Sequence, residues 1–497
     1  MSENALSANS IDPKLGKKAM IASGCYMGAG QFFVLKQRVR GILLMLFEAW
    51  VLLDIILGLN DIYITSEVYD KCFYDGSVGI AIFFNNILLG FFDFINNLFC
   101  SNTIIYGFWG LFTLGNPHPE LPVNERDHSI FLMIDGLFTI IICAIFVYFY
   151  INSILSAKKS AEKIIKNGKF PTRKEAHNDL SQNAFPIIGV APSVILIAFF
   201  TVIPLLFAML VAFTNYSSPD HIPPNNLVDW VGFDNFKTMF SSVGAKNGAW
   251  LHAFVRVALW TVLWAVFATF SCFFLGFFFA VVLLDKRIAI PKFYRTIFIL
   301  PYAIPTMLSL FVWANLLNGT MGPINMMLKN FGIPGVKWLS DPNVAKITLI
   351  LVNMWIGFPY SMILTTSSMT AIPSSMYEAA QIDGANKWQQ FKSLTLPMVM
   401  YQLKPTLIMQ FASNINNFGA VFFLTGGGPT LVSAGENLTI STQAGSTDIL
   451  ISWIYKLTMN SNEYNIASVL SILVFIVLVP FGLYNFLRTK SFKEGEV

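Results

Sequence analysis

The chain has 497 residues, 55% of them hydrophobic and only 12% charged, with a formal net charge of +4. Soluble proteins carry about 25% charged residues, whereas apolar runs near the length of a membrane-crossing helix recur here, which excludes a water-soluble enzyme and predicts an all-α polytopic membrane protein. A membrane β-barrel is excluded too, because its strands would read as short alternating segments.

In chain order, residues 1–40 are polar and basic (Lys14, Lys17, Lys18, Lys36, Arg38, Arg40) and are expected in the cytoplasm by the positive-inside rule. A first span is predicted over 41–59. It contains Glu48 and Asp54, which must face other helices or the outer headgroups, since a lone carboxylate in lipid is costly. Residues 60–129 are acidic on balance and are placed outside. Within them, 80–99 is apolar but carries Asn86, Asp93 and Asn97 as a polar stripe, the pattern of an interfacial helix and not of a span. The second span, 130–152, runs into the basic linker 156–185, and the third, 186–213, contains Pro192 and Pro204 as candidate kinks. Four more spans are predicted over 253–284, 296–317, 347–369 and 404–424, and a last one over 465–487 leads to Arg488, Lys490 and Lys493 and a cytoplasmic tail, 491–497. About eight spans with both termini cytoplasmic put every basic cluster on one side.

No metal site is expected, because the five cysteines (25, 72, 100, 143, 272) show neither C-x-x-C spacing nor partnering histidines. Cys72 and Cys100 share the outside segment, which leaves a disulfide open, with two free thiols the simpler reading. No G-x-x-x-x-G-K-[ST] loop occurs, and no Ser/His/Asp or Cys/His set, so no catalytic residue is expected.

Two stretches carry the functional signal. In the loop at 374–397, Ser375 and Glu378 have capping-box spacing, Gly384 can turn the chain through positive φ, and Ala379 and Ala380 offer a small-residue face to a partner's cleft. In the seventh span, Gln410, Ser413, Asn414 and Asn417 fall at i, i+3, i+4 and i+7, one face of a helix. Such amides either glue helices together or face a wet cavity holding a polar ligand. Sugar hydroxyls suit them, because an amide both donates and accepts. On the sixth span, Asn353, Gly357, Tyr360 and Ser361 form a similar face, where a Tyr ring could stack on a sugar or merely pack into a Gly notch. Spans four to eight hold few ionisable groups, which argues against an ion-coupled carrier.

The run of Glu378, Ala379, Ala380, Asp383, Gly384, Ala385, Phe391, Leu396 and Pro397 resembles the EAA loop of ABC-importer permeases, the segment that docks into the ATPase. Trp230–Phe236 and Leu300–Pro305 resemble phrases of sugar-type ABC permeases, and Trp355–Tyr360, Asn414–Phe418, Leu424–Pro429, Ala444–Asp448 and Trp453–Tyr455 resemble the larger permease subunit of maltose-type importers. The resemblance implies a type I importer core of six spans over 186–490, preceded by a two-span extension over 41–155. It implies a sugar site midway through the membrane at Gly357, Tyr360, Asn414 and Asn417. Gln410 and Ser413 depart from the family's residues, which bears on the glycan accepted, and the outside loop before span four is shorter than in enterobacterial members.

The implied partners are a second homologous permease subunit, an ATPase homodimer that binds the ATP and Mg, an extracellular sugar-binding protein and an oligosaccharide. This chain itself would need no cofactor. A bacterial plasma-membrane permease for maltose or maltodextrin is the expectation. Raffinose, a lactose-like sugar or glycerol phosphate are the alternative substrates within the class, and an ion-coupled sugar carrier or a sensory membrane protein are the alternatives outside it.

Overall fold

The computed structural model describes residues 12, 14–61, 104–117, 119–123, 126–240, 245–285, 287–433, 436–437 and 442–487. The segment 80–99, Cys72, Cys100 and the side chain of Asp54 lie outside what is described. The chain divides into two compact units, Met1–Leu210 with Pro219–Asp229, and Val211–Ser218 with Trp230–Val497.

The first unit is helical. Helix α1 (Leu15–Cys25) is followed by a π-helical turn at Gly30–Val34, then α2 (Arg38–Asp61), α3 (Ile104–Thr113), α4 (Ser129–Asn167) and α5 (Arg173–Ile197). A π-helical stretch at Ala198–Val202 joins α5 to α6 (Ile203–Val211). Pro204, the second residue of α6, has no N–H for the carbonyl four residues back, so the hydrogen-bond ladder widens just before it.

The polar N-terminal segment is not a loose tail. Leu15, Ala19 and Leu35 pack on Ala157, Ala161 and Ile164 of α4, and small side chains let the helices approach closely. Buried Gln31 accepts from the Ser23 hydroxyl at 2.8 Å and donates to the Ser153 carbonyl at 2.7 Å. Glu48, only 7% exposed, accepts from the Met27 backbone N–H. Its carboxylate therefore faces protein and not lipid.

The second unit runs through α7 (Asp234–Phe240), α8 (Ala245–Leu284), α9 (Pro291–Ala303), α10 (Thr306–Leu316), α11 (Pro323–Asn330) and α12 (Pro342–Thr370). Then come α13 (Ser374–Ile382), α14 (Lys387–Gln390), a π-helical stretch at Phe391–Thr395, α15 (Leu396–Ile415) and α16 (Phe418–Thr425). A two-residue ladder, β1 (Val432–Ser433) with β2 (Glu436–Asn437), pairs Val432 with Asn437 antiparallel. Helices α17 (Leu450–Met459) and α18 (Tyr464–Leu487) complete the unit.

The core lies where α8, α12 and α16 meet. Trp260, Trp264 and Ala268 pack against Leu349, Val352 and Ile356 and against Ala420, Val421 and Leu424. Gly276 makes this approach possible: a Cβ there would stand 2.6 Å from the Met362 nitrogen and 2.7 Å from the Phe358 carbonyl oxygen. The opposite face of α8 exposes Leu259, Leu263, Phe267, Phe270, Phe274 and Phe278. Lipid tails are as apolar as these side chains, so such a face has no reason to hide.

Among the described residues, four helical stretches are long and apolar enough to cross a membrane: Ser129–Asn167, Gly189–Val211, Ala249–Leu284 and Pro342–Thr370. Two bent pairs raise the number to six if each is one span: Pro291–Ala303 with Thr306–Leu316, bent by 89°, and Lys387–Ile415 with Phe418–Thr425, bent by 46°. The fifth and seventh spans, expected as continuous, are thus each broken. At the first break Ile304 is extended (φ −84°, ψ 135°), the conformation that a following proline imposes, and Pro305 cannot extend the ladder. At the second, Asn417 leaves the helix to cap the next one, its side chain accepting from Ala420 N–H.

The expected capping box at Ser375 and Glu378 does not form. Pro373 stands at the N-cap with no side-chain bond and α13 begins at Ser374, so Ser375 already lies inside the helix, where it cannot serve as cap. The reciprocal cap sits one element later: Gln389 N–H donates to Asn386 Oδ1 at 2.9 Å, and Asn386 N–H to Gln389 Oε1 at 2.8 Å.

Beyond α16, the Gly-rich turn and the Ala444–Asp448 stretch interlock. Thr447 Oγ1 donates to the Gly428 carbonyl at 2.5 Å, and Trp260 Nε1 donates to the Thr447 carbonyl at 3.1 Å. Asp448, fully buried, accepts from Lys456 Nζ at 2.6 Å, Gly445 N–H at 2.7 Å and the Ser452 hydroxyl at 2.8 Å. Burial pushes its carboxyl above the usual range against the pull of Lys456.

Candidate functional site

The break in the seventh span sets the site. Because the helix stops at Ile415 and restarts at Phe418, Asn414 and Asn417 end up on the inner side of the bend, facing α8 and α12. Asn414 Nδ2 donates to Thr269 Oγ1 at 3.0 Å, and its backbone carbonyl accepts from Trp264 Nε1 at 3.0 Å. Asn417 Nδ2 lies 3.5 Å from Asn353 Oδ1 and 3.4 Å from Asn414 Oδ1. Asn353 Nδ2 in turn approaches Cys272 Sγ at 3.7 Å. Every group in this cluster is neutral, and all of them can donate or accept.

The other expected residues spread along the same faces. Gly357 sits against Cys272, whose sulfur would be 2.7 Å from an added Cβ. Tyr360, half-buried, stacks on Tyr302 with ring centroids 5.9 Å apart. Gln410 lines a separate cleft of about 10 Å³ with Phe273, Ser361, Leu403 and Thr406, room for about one water. The Ser361 hydroxyl at this cleft is buried without a hydrogen-bond partner, as is that of Thr365 one turn on. Ser413 is exposed. The structure therefore gathers Asn414 and Asn417 with Asn353, and leaves Tyr360, Gln410 and Ser413 as neighbours along the helix faces.

The contribution of α8 was not foreseen. Trp264, Thr269 and Cys272 all touch the cluster, and the available signal was a recurrence of small residues, Ala265, Ala268, Thr269, Cys272 and Gly276, within an otherwise bulky apolar helix. Such residues mark close helix contacts in membranes.

The 374–397 loop forms a helical elbow. Gly384 turns it with φ +79° and nothing within 4 Å of the missing Cβ, as a residue needed for its backbone would. Glu378, Ala379 and Asp383 are exposed, Ala380 and Ala385 half-buried. Phe391 anchors the elbow on Phe277 of α8, with ring centroids 5.8 Å apart, and the Tyr377 hydroxyl ties its two arms through Thr395 Oγ1 at 3.0 Å. Pro397, exposed, falls in the first turn of α15. Ile382 and Trp388, 87% and 68% exposed, stand at the tip. Large apolar side chains at a charged loop's tip mark a protein contact.

An elbow with apolar tips thus stands on one side of the bundle, and polar groups gather at a broken span within it. Residues 272–490 match the family described as binding-protein-dependent transport system inner membrane component. The chain is 37% identical over 389 residues to the galactooligosaccharides transport system permease protein GanP of Bacillus subtilis, covering 78% of this chain and 88% of that protein. It is 35% identical over 382 residues to the maltodextrin transport system permease protein MalC of Streptococcus pneumoniae serotype 4, covering 75% of this chain and 85% of that one.

The chain belongs to this family of ABC-importer permeases: it is a multi-pass inner membrane component and is not itself catalytic. Members of such systems work with a binding protein and an ATPase, and typically bind no cofactor. Its fold is similar to that of a chain in the crystal structure of a bacterial alginate ABC transporter in complex with an alginate pentasaccharide-bound periplasmic protein, with TM-score 0.50 and 20% identity over 64% of this chain and 98% of that one.

Proposed function

We propose that this chain is the membrane subunit through which maltose- or maltodextrin-type oligosaccharides cross a bacterial plasma membrane. The neutral amide cluster of Asn353, Asn414 and Asn417 at the broken seventh span carries the reading. Discontinuous helices in transporters free backbone groups near the middle of the bilayer for ligands. Neutral donors and acceptors match hydroxyls and give no reward to a phosphate, which disfavours glycerol phosphate.

Gly357, Tyr360, Asn414 and Asn417 would meet the sugar, with Gln410 and Ser413 adjusting which glycan fits. The relatives named for maltodextrins and for galactooligosaccharides support an oligosaccharide and leave galactooligosaccharide as the second reading. Glu378, Ala379, Ala380, Asp383, Gly384, Ala385, Phe391 and Pro397 would couple the spans to an ATPase homodimer, which holds the ATP and Mg, while a second homologous permease completes the pathway.

The proposed topology has eight spans and both termini cytoplasmic: residues 1–40 inside, a two-span extension at 41–155, a basic linker at 156–185, a six-span type I core at 186–490 and a tail at 491–497. A sugar-loaded binding protein docks outside, and ATP-driven closure inside moves the elbow and switches access. The test is ATP hydrolysis by the reconstituted complex with binding protein and a glycan panel. Stimulation by maltodextrins, lost in Glu378→Lys, is expected. Stimulation by galactooligosaccharides alone moves the substrate, and no sugar dependence with an intact assembly overturns the importer reading.

A further inference from the structure

At the end of α8 and α12 away from the elbow, two cations stand without a carboxylate ion pair among the described residues. Arg256 and Lys346 line a cavity of about 230 Å³ together with Trp260, Leu259, Leu263 and Ser446. Lys346 Nζ lies 4.8 Å from the centre of the Trp260 ring. Among the described residues the carboxylate at this cavity is Asp448, and Lys456 at 2.6 Å already neutralises it. Ser446, 3% exposed, also lines this cavity, and its hydroxyl is buried with no hydrogen-bond partner. Buried polar groups are rarely left so, and half-buried Lys346 feels the like charge of exposed Arg256, a repulsion that a bound anion would relieve.

The cavity is polar at one end only. Leu259 and Leu263 continue the α8 face at i+3 and i+7 from Arg256 and are 61% and 49% exposed, so the face passes from cationic to apolar toward the middle of the span. A tryptophan beside the cations is the usual furnishing of a membrane interface. The order of chemistry along the groove, cation and hydroxyl first and hydrocarbon next, is that of a phospholipid.

We propose that this groove holds an anionic phospholipid, its phosphate between Arg256 and Lys346 beside Ser446 and an acyl chain along Leu259 and Leu263. The choice of the outer leaflet rests on the sidedness proposed above, and the site itself does not. The site also explains two cations retained at a membrane end where the positive-inside rule disfavours them. An acidic side chain of a docked protein would satisfy the charges but leave the apolar run unused.

The full chain, purified with its partner subunits, is delipidated, titrated with phosphatidylglycerol or phosphatidylcholine, and examined by native mass spectrometry for bound lipid. Phosphatidylglycerol should be retained and phosphatidylcholine not. Each cation near an anionic headgroup is worth about a five-fold change in binding, so Arg256→Gln with Lys346→Gln should weaken retention about thirty-fold. Leu259→Trp fills the groove without touching the charges and should also expel the lipid, which decides the matter if the double variant fails to assemble. Equal retention of both lipids, or retention unchanged in the variants, overturns the site. Weaker binding-protein affinity in the double variant with lipid retention unchanged overturns it in favour of a docked acid. Lipid counting needs no transport, so either result leaves the sugar reading to its own test.

Discussion

Asn417 serves two ends at once: its oxygen caps α16 through Ala420 N–H at 3.3 Å, and its nitrogen reaches Asn353 and Asn414. The two roles separate by substitution. Asn417→Ser keeps a capping oxygen and removes the amide that reaches Asn353 and Asn414, so the thermal midpoint should hold while sugar-stimulated ATP hydrolysis falls. Asn417→Ala loses the cap as well, at about 1 kcal/mol, and should lower both. Full stimulation in Asn417→Ser would reduce the residue to a helix cap. A second residue-scale test concerns the contact between α8 and α12. Gly357→Ala drives a methyl to 2.7 Å from Cys272 Sγ, an overpacking worth about 1–3 kcal/mol. Shrinking the neighbour in Gly357→Ala with Cys272→Ala should restore the unfolding midpoint. If it does not, another group limits the space.

Among elements, the elbow carries the proposed ATPase contact. None of α13 is buried, and its last residue, Ile382, stands just before the Gly384 turn. Ile382→Asp removes an exposed side chain from no internal contact, so the fold should keep its melting behaviour while the ATPase no longer co-purifies; unchanged co-purification would place the docking surface elsewhere. The elbow was legible in the sequence because Gly384 has a local backbone reason to be there, and a local reason survives without knowledge of neighbours. The cap was misread for the converse reason: Ser375 and Glu378 have suitable spacing, but with Pro373 at the N-cap the helix starts two residues too early for Ser375 to serve it. The breaks at Ile304 and Asn417 were not read from hydropathy, which stays apolar on both sides of each bend.

At the scale of the whole molecule, the proposed sidedness puts the elbow and the α17–α18 turn on opposite faces. Single cysteines introduced as Ser375→Cys and Asn460→Cys, both at exposed positions, should react with an impermeant maleimide from the cytoplasmic and the external side respectively. Labelling of both from one side would overturn the span order between them. The same scale explains the N-terminal unit, where a segment read as a polar basic extension packs as α1 on α4 through Ala19, Ala157 and Ala161. Alanines and serines carry little hydropathic signal, yet they permit the closest helix contacts, so the packing is invisible until the helices are brought together.

By itself the sequence determined membrane embedding, the importer family and the place of the helical elbow, because apolar length, basic clusters and a glycine turn are properties of contiguous residues. Only the tertiary structure decided which spans break and which polar groups meet. Asn414 finds Thr269 and Asn417 finds Asn353 across separations of 145 and 64 residues. In a bilayer, apolar faces toward lipid and toward protein read alike, and what distinguishes them is the fit of small residues on one helix against another.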